Sequence, residues 1–308
     1  MNSKPFFTVI TVTYNSSQFV RDAIESVLAS TFTDFELIIG DDCSTDNTWE
    51  IIKEYNDPRI VKYRNETNLR EYPNRNKALN FARGEWVIFI DGDDIIYNQA
   101  LFKLASYIEN YGSRVNMVLM ELNLNWALIP FVISGRLFFL TSSTRKSLNN
   151  VAFTKTVFRR KDIVKSFYKC LLFGNGDQIV RLVVANDSGV LIIEDQLTWW
   201  RETPGQASSV IGKDIKTWVN DIFFQFDNVK SKGLNEDEIN IFIINKLIDV
   251  NRIMINQLKT LQIINFIKTC FYFRIELLKI FSLTFTEKED FLPQYSASSP
   301  VKCGEWIE

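Results

Sequence analysis

Residues 85–95 read EWVIFIDGDDI. The apolar run from Trp86 to Ile90 has the β-branched and aromatic content of a strand. It lacks polar alternation, as a strand buried on both faces should. The run ends in Asp91-Gly92-Asp93-Asp94, where three carboxylates crowd into four residues and repel one another. Just upstream, NRNKALNFAR (74–83) predicts a helix, and Gly84 suits its stop. A helix thus feeds a buried strand with an acidic far end.

The same unit recurs toward the N-terminus. FTVITVTYN (7–15), FELIIGDD (35–42) and RIVKYRNE (59–66) read as strands. SQFVRDAIESVLAS (17–30) carries Phe19, Val20, Ala23, Ile24, Val27 and Leu28 at helical spacing. STDNTWEIIKEYN (44–56) is a further helix, with Ser44 or Thr45 as its expected N-cap. This alternation predicts an α/β fold, with a mostly parallel central sheet and helices on both faces. Ligands bind such sheets at the carboxyl ends of the strands. Tyr14-Asn15, Asp41-Asp42 and Asp91-Gly92-Asp93-Asp94 all sit there, so three strands deliver polar groups to one edge. No G-x-G-x-x-G follows the first strand and no G-x-x-x-x-G-K-[ST] occurs. A phosphate-bearing ligand would therefore need a cation rather than a glycine-rich cradle.

Composition narrows the chemistry. The 308 residues are 46% hydrophobic and 23% charged, with a net charge of −2, so nothing points to nucleic acid. Four scattered cysteines suggest neither a zinc site nor a disulfide framework, which suits a reducing, cytoplasmic setting. The N-terminus does not read as a signal peptide, and no segment reads as a membrane span. There is no histidine, which excludes His-based triads and His-ligated metals. Acid–base work near neutral pH falls to carboxylates, Lys, Tyr or Cys.

Further along, 100–112 predicts a helix and 115–140 mixed strand and loop. NNVAFTKTVFRRKDI (149–163) reads as a strand running into a helix. FGNGDQIVRLVVAN (173–186) reads as a glycine turn opening an amphipathic helix, and GVLIIEDQLTWWRETPGQAS (189–208) as a strand, an aromatic segment and a loop. We expect a catalytic domain over 1–211, with a nucleotide-binding half (1–98) and an acceptor-binding half (99–211). An accessory helical region (212–286) and a tail (287–308) follow.

Each acidic cluster has two readings. Asp91-Gly92-Asp93 is a DxD element, in which two carboxylates can share a hard divalent cation while the glycine turns the backbone. It also reads as a solvated turn, with Asp94 capping a helix that begins near Tyr97. Asp41 and Asp42 read either as caps for the next helix or as acceptors for a base or ribose. Asp177 is either an N-cap of the 178–185 helix or a general base that Gly174 and Gly176 help to expose. Trp199 and Trp200 are adjacent, so in an extended strand they face opposite ways, and at most one would line a site. Arg159-Arg160-Lys161 reads as a solvated face or as a contact to an acceptor phosphate.

Taken together, VITVTYN (9–15), TFTDFELIIGDDCSTDNT (31–48), NRNKALNFARGEWVIFIDGDD (74–94), NGDQIVRL (175–182) and LTWWRETPGQAS (197–208) resemble an inverting family 2 glycosyltransferase of GT-A fold. The resemblance implies a Rossmann-like sheet, a nucleotide-diphospho-sugar donor and a divalent metal, Mn²⁺ or Mg²⁺. It implies that Tyr14 packs beside the base, that Asn15 belongs to the nucleotide-sugar site, and that Asp42 binds base or ribose while Asp41 supports the turn. Arg70 and Arg75 would stand near the donor. Asp93 would contact the metal, Asp91 the metal or ribose, and Asp177 would be the catalytic base. Trp199, Trp200 and Arg201 would line the acceptor and diphosphate side. Three positions depart from the pattern: Thr203 where a His is frequent, Asn175-Gly176-Asp177 where Gly-Glu-Asp is common, and Val12 where Pro is.

By analogy the acceptor is a glycan or lipid-linked glycan in cell-surface polysaccharide assembly, at the inner face of the cytoplasmic membrane. Residues 239–286 carry apolar faces with Lys246, Arg252, Lys259, Lys268, Arg274 and Lys279. They would either lie on an anionic membrane surface or bury those faces on the catalytic domain or a second subunit. Two other functions compete. A nucleotidyltransferase would normally show a Gly-rich basic loop after the first strand, which TYNSSQF lacks. A catalytically silent sugar-nucleotide-binding scaffold would not need Asp93 and Asp177.

Overall fold

The computed structural model describes residues 4–120, 130–142, 148–149, 151–167, 176–185, 188–193, 197–202, 234–235, 237–238, 242, 245 and 306–307. The first half is the expected alternation: β1 (Phe7–Thr13), α1 (Val20–Leu28), β2 (Phe35–Asp41), α2 (Thr48–Lys53), β3 (Ile60–Arg64), α3 (Glu71–Leu79) and β4 (Trp86–Phe89). The short β5 (Ile95–Ile96) and α4 (Ala100–Tyr111) follow, then β6 (Val115–Met120), β7 (Phe131–Ile133) and α5 (Gly135–Thr141). The remaining elements are β8 (Thr156–Arg159), α6 (Arg160–Ser166), α7 (Gly176–Val184), β9 (Gly189–Ile193), β10 (Thr198–Trp199) and β11 (Trp306–Ile307).

The main sheet runs β11-β7-β9-β6-β8-β4-β1-β2-β3, and β5 with β10 forms a separate antiparallel ribbon. The strands β4, β1, β2 and β3 are mutually parallel. The antiparallel β8 joins β4 to β6 and links the two halves of the sheet. Sequence reading placed a strand near 156 but not its direction, because antiparallel insertion depends on partners far along the chain.

Every residue of β1 and β2 is buried. Alternate side chains feed two cores. Ile10, Val12, Ile38 and Phe89 face Ala78, Phe139 and Ile179 on one side of the sheet, while Val9, Leu37, Ile39 and Ile88 face Ile24, Val27 and Leu104 on the other. Glu36 is the exception within β2, at 2% exposure. Its carboxylate accepts from Thr8 Oγ1, the Arg83 and Gly84 N–H groups, and Arg83 Nε, so its burial leaves no charge unpaired.

Local details correct several expectations. The third helix spans 71–79 rather than 74–83, and Gly84 does not stop it. A Cβ at Gly84 would lie 2.4 Å from Thr8 N, so the glycine is there because its backbone packs against β1. Helix α2 begins at Thr48, beyond Ser44 and Thr45, and the Thr48 N–H is met by Asp46 Oδ1 at 3.0 Å.

No helix among the described residues is long and apolar enough to cross a membrane. Of the few described residues of the accessory region, Phe242 and Asn245 are buried. Phe242 is fully buried and stacks on Phe139 at 4.9 Å. Asn235 and Glu238 exchange backbone-to-side-chain hydrogen bonds in a capping box, and Glu238 also pairs with Arg136 of α5. This face of the region covers the sheet domain; most of 239–286, with its basic residues, lies outside the described residues. Truncating Phe242 to Ala should therefore destabilise the whole domain by roughly 3–4 kcal/mol, read as a lower urea midpoint with an unchanged slope.

Candidate functional site

The carboxyl ends of β1, β2 and β4 meet, and each strand end is tied to its neighbour. After β1, Asn15 sits in the left-handed region at φ 51°, a conformation Asn tolerates. Its N–H donates to Ser44 Oγ, and its Oδ1 accepts from the Thr45 N–H. Tyr14 beside it is half-exposed. At the end of β2, Asp41 is fully buried. It accepts from Ser44 Oγ at 2.5 Å and the Ser44 N–H, and pairs with Arg64 Nε at 3.3 Å. Asp41 thus braces the turn.

Asp42 is almost as deeply buried, at 3% exposure. Oδ1 accepts from Asn65 Nδ2 and the Leu69 N–H, and Oδ2 from the Arg70 N–H, each at 2.8 Å. A carboxylate offers about four lone-pair positions, so one on Oδ2 remains. Asp42 organises the loop that presents Arg70, whose side chain is exposed and whose φ is 72°.

The DxD turn is locked from both sides. The Gly92 N–H donates to Val12 O, and a Cβ on Gly92 would lie 2.7 Å from Thr13 Cβ and Oγ1. The glycine is needed for close approach to β1. Asp91 Oδ2 pairs with Arg75 Nη2 at 2.5 Å, and Arg75, 2% exposed, also pairs with Glu71. Arg75 therefore reaches the DxD element from within the core, with its guanidinium over the Phe153 ring at 4.9 Å. Burial pushes the Asp91 carboxyl up against the opposing pull of Arg75.

Asp94 does not cap a helix. It is buried, and its Oδ1 accepts the Arg201 N–H at 3.0 Å. Burial first, and then the charge of Asp91, push its pKa up to about 8. The ribbon of β5 and β10 makes this contact, pairing Ile96 with Thr198 and Ile95 with Trp199. Arg201 Nε donates to Asp93 O at 2.9 Å, and the guanidinium lies over the Phe19 and Trp199 rings while its Nη2 reaches Asp22. The aromatic-Arg segment thus folds directly onto the DxD turn. Trp199 and Trp200 are 40% and 37% exposed, so neither is packed into the core.

Asp177 lies in the first turn of α7 rather than at its cap. Its Oδ2 accepts from Arg181 Nη2 at 3.0 Å, and its N–H donates to Tyr72 Oη at 3.3 Å. Tyr72 lies under the Arg75 guanidinium, 5.7 Å from ring centre. The chain Asp177–Tyr72–Arg75–Asp91 connects α7 to the DxD turn. Sequence reading missed Tyr72, Asn65, Arg64 and Arg181. Only Arg181 left a signal, its i+4 spacing from Asp177 on a helical pattern. Gly174, Asn175 and Thr203 lie outside the described residues.

These residues fit a hard divalent cation. Asp91 Oδ1 is buried with no hydrogen-bond partner among the described residues, and Asp93 lies across a single glycine from it. Among the described residues no three His, Cys, Asp or Glu gather to hold a metal by themselves. A cation here would therefore complete its shell with ligand oxygens or water, as Mg²⁺ does with substrate phosphates.

Comparison with known proteins follows the same lines. An uncharacterized glycosyltransferase of Methanocaldococcus jannaschii is 40% identical over 111 residues, 35% of this chain and 38% of that protein. The poly(ribitol-phosphate) β-N-acetylglucosaminyltransferase TarS of Staphylococcus aureus is 37% identical over 119 residues, 37% of this chain and 21% of TarS. The putative teichuronic acid biosynthesis glycosyltransferase TuaG of Bacillus subtilis is 43% identical over 95 residues, 30% of this chain and 38% of TuaG. The matches thus cover only about a fifth to two fifths of these relatives.

Among solved structures, TarS residues 1–349 with UDP-GlcNAc superpose with a TM-score of 0.61 at 20% identity, covering 77% of this chain and 70% of that one. A mannosyltransferase of Pyrobaculum calidifontis, with GDP-Man and Mn²⁺, gives 0.57 at 14% identity, covering 80% and 70%. These likenesses establish the GT-A fold. Residues 8–165, just over half of the sequence, match the model of glycosyl transferase family 2, and the chain belongs to that family.

Proposed function

We propose that this chain transfers one sugar, with inversion, from a nucleoside-diphosphate donor to a hydroxyl of a glycan or lipid-linked glycan, with the help of Mn²⁺ or Mg²⁺. The observation that carries this reading is the buried, unpartnered Asp91 Oδ1 in a DxD turn onto which the Trp199–Arg201 segment folds. The relatives TarS and TuaG, whose names place them in glycopolymer synthesis, support a cell-envelope polysaccharide as the setting.

In this mechanism Tyr14, Asn15, Asp42 and Arg70 form the base and ribose end of the donor site. Asp93 and Asp91 are the residues that would hold the cation, whose positive charge would there offset the charge on the departing diphosphate. Asp177 takes the proton from the acceptor hydroxyl. The acceptor oxygen then bonds to the anomeric carbon as the bond from that carbon to the diphosphate breaks. The electron pair leaves with the nucleoside diphosphate. Trp200 offers an exposed ring face to the acceptor sugar, and Trp199 stacks with Arg201, which stands beside the diphosphate. The catalytic unit spans 1–211 and works on the cytoplasmic side.

A screen of UDP-, GDP- and dTDP-sugars with Mn²⁺ should give metal-dependent release of nucleoside diphosphate from at least one donor. Asp93→Ala should weaken Mn²⁺-dependent UDP or GDP binding at least tenfold by titration calorimetry; unchanged binding would sink the metal assignment. Replacing Asp177 with Asn should lower turnover by about 10²–10⁴-fold while that binding stays within twofold. Gly92→Ala, which drives a methyl into Thr13, should lose both metal-dependent binding and turnover.

A further inference from the structure

Asp177 is held by more than its own helix. Arg181, one turn further along α7, is fully buried, and its guanidinium is used on every side. Nε donates to Asn149 Oδ1 at 2.8 Å, and Nη1 to Thr156 Oγ1 at 3.3 Å. Nη2 donates to Asn149 O at 3.0 Å, to Val151 O at 3.1 Å and to Asp177 Oδ2 at 3.0 Å.

This position faces the apolar core, between Val180 and Leu182, where a Leu or Met would bury with no loss of hydration. Burial lowers the Arg181 pKa, and the neighbouring Asp177 carboxylate opposes that shift. The fork does what no apolar side chain does: it ties one carboxylate oxygen to the 149–156 segment, which leads into the central strand β8. Arg181 engages Oδ2 and leaves Oδ1 as the oxygen it does not hold. From the other side, Tyr72 Oη accepts the Asp177 N–H.

We propose that Arg181 is a positioning residue for sugar transfer: it fixes the Asp177 carboxylate in one orientation, with Oδ1 turned to the acceptor hydroxyl. This rests on the reading of Asp177 as the base. A general base that drifts by about 1 Å loses on the order of 10² in rate, so such a clamp is read in kcat rather than in donor affinity.

The test is a double-mutant cycle on the full chain. It measures kcat and donor KM for release of nucleoside diphosphate from whichever screened donor turns over, and Mn²⁺-dependent binding of UDP and GDP as a reporter of the folded donor site. Arg181→Lys keeps the charge but loses the fork, and should lower kcat roughly tenfold with KM and binding within twofold. Arg181→Met should lower kcat by about 100-fold. In the Asp177→Asn background neither substitution should lower kcat further, because the group they position is gone.

Wild-type kcat in Arg181→Lys would overturn the proposal, as would a loss of the same size with and without Asp177. Should Arg181→Met fail to fold, Arg181→Lys and its pairing with Asp177→Asn decide the matter. Wild-type turnover in Asp177→Asn alone would instead overturn the base reading, and the positioning role with it. Reduced turnover in Asp177→Asn beside a normal Arg181→Lys would overturn the positioning role only.

Discussion

The ion pair between Arg75 and Asp91 is the constraint on which the site depends. Five carboxylates converge at one sheet edge, and an uncompensated charge there would cost several kcal/mol. Four of them, Asp41, Asp42, Asp91 and Asp94, have a specific remedy. Arg64 and Ser44 serve Asp41, and three donors from the 65–70 segment serve Asp42. The Arg201 N–H serves Asp94. Asp91 alone is met from below, by a guanidinium enclosed by Phe153, Phe89 and Tyr72. Because Arg75 takes only Oδ2, it settles the charge without filling the coordination capacity of Oδ1. That asymmetry turns a repulsive cluster into a place for a cation.

Backbone strain is concentrated where this arrangement needs it. The non-glycine residues with positive φ among those described are Asn15, Cys43 and Arg70, and all three lie in loops at the carboxyl edge of the sheet. Such conformations cost of order 1–3 kcal/mol each and persist only when surrounding bonds over-determine them. The bonds are present: Asn15 is held by Ser44 and Thr45, the Cys43 thiol donates to Glu66 O, and the Arg70 N–H is fixed by Asp42. Three loops are therefore set before any ligand arrives, and binding spends less on ordering them.

What could be read from the sequence was what is encoded locally. Unbroken β-branched runs announced buried parallel strands, and the rule for sheet edges then gathered Tyr14, Asp42 and Asp93 without any structure. What escaped was what depends on partners remote in sequence. The Arg201 contact to Asp94 spans 107 residues, and the Tyr72 contact to Asp177 spans 105. Arg75 was expected near the donor but not beneath Asp91 in the core, because a helix pattern of charges does not say which residue a neighbouring strand will cover. Glu36 broke the apolar run of β2 without preventing the strand, since its four donors come from Thr8 and the Arg83–Gly84 turn.

The accessory region shows the same limit from the other direction. An amphipathic stripe flanked by lysines fits a membrane surface and a protein core equally well, because both take the apolar face and leave the cations wet. Only the partner separates the two. At Phe242 the partner is Phe139 of α5, a helix that packs on the same core as α3 and α7, behind the DxD turn. Helix α5 is seated tightly, since a Cβ at Gly135 would lie 1.6 Å from Ala185 O at the end of α7. The helix that carries Asp177 is thus backed by α5, and α5 by Phe242. Whatever else the region touches, this face of it supports the element that aims the proposed base.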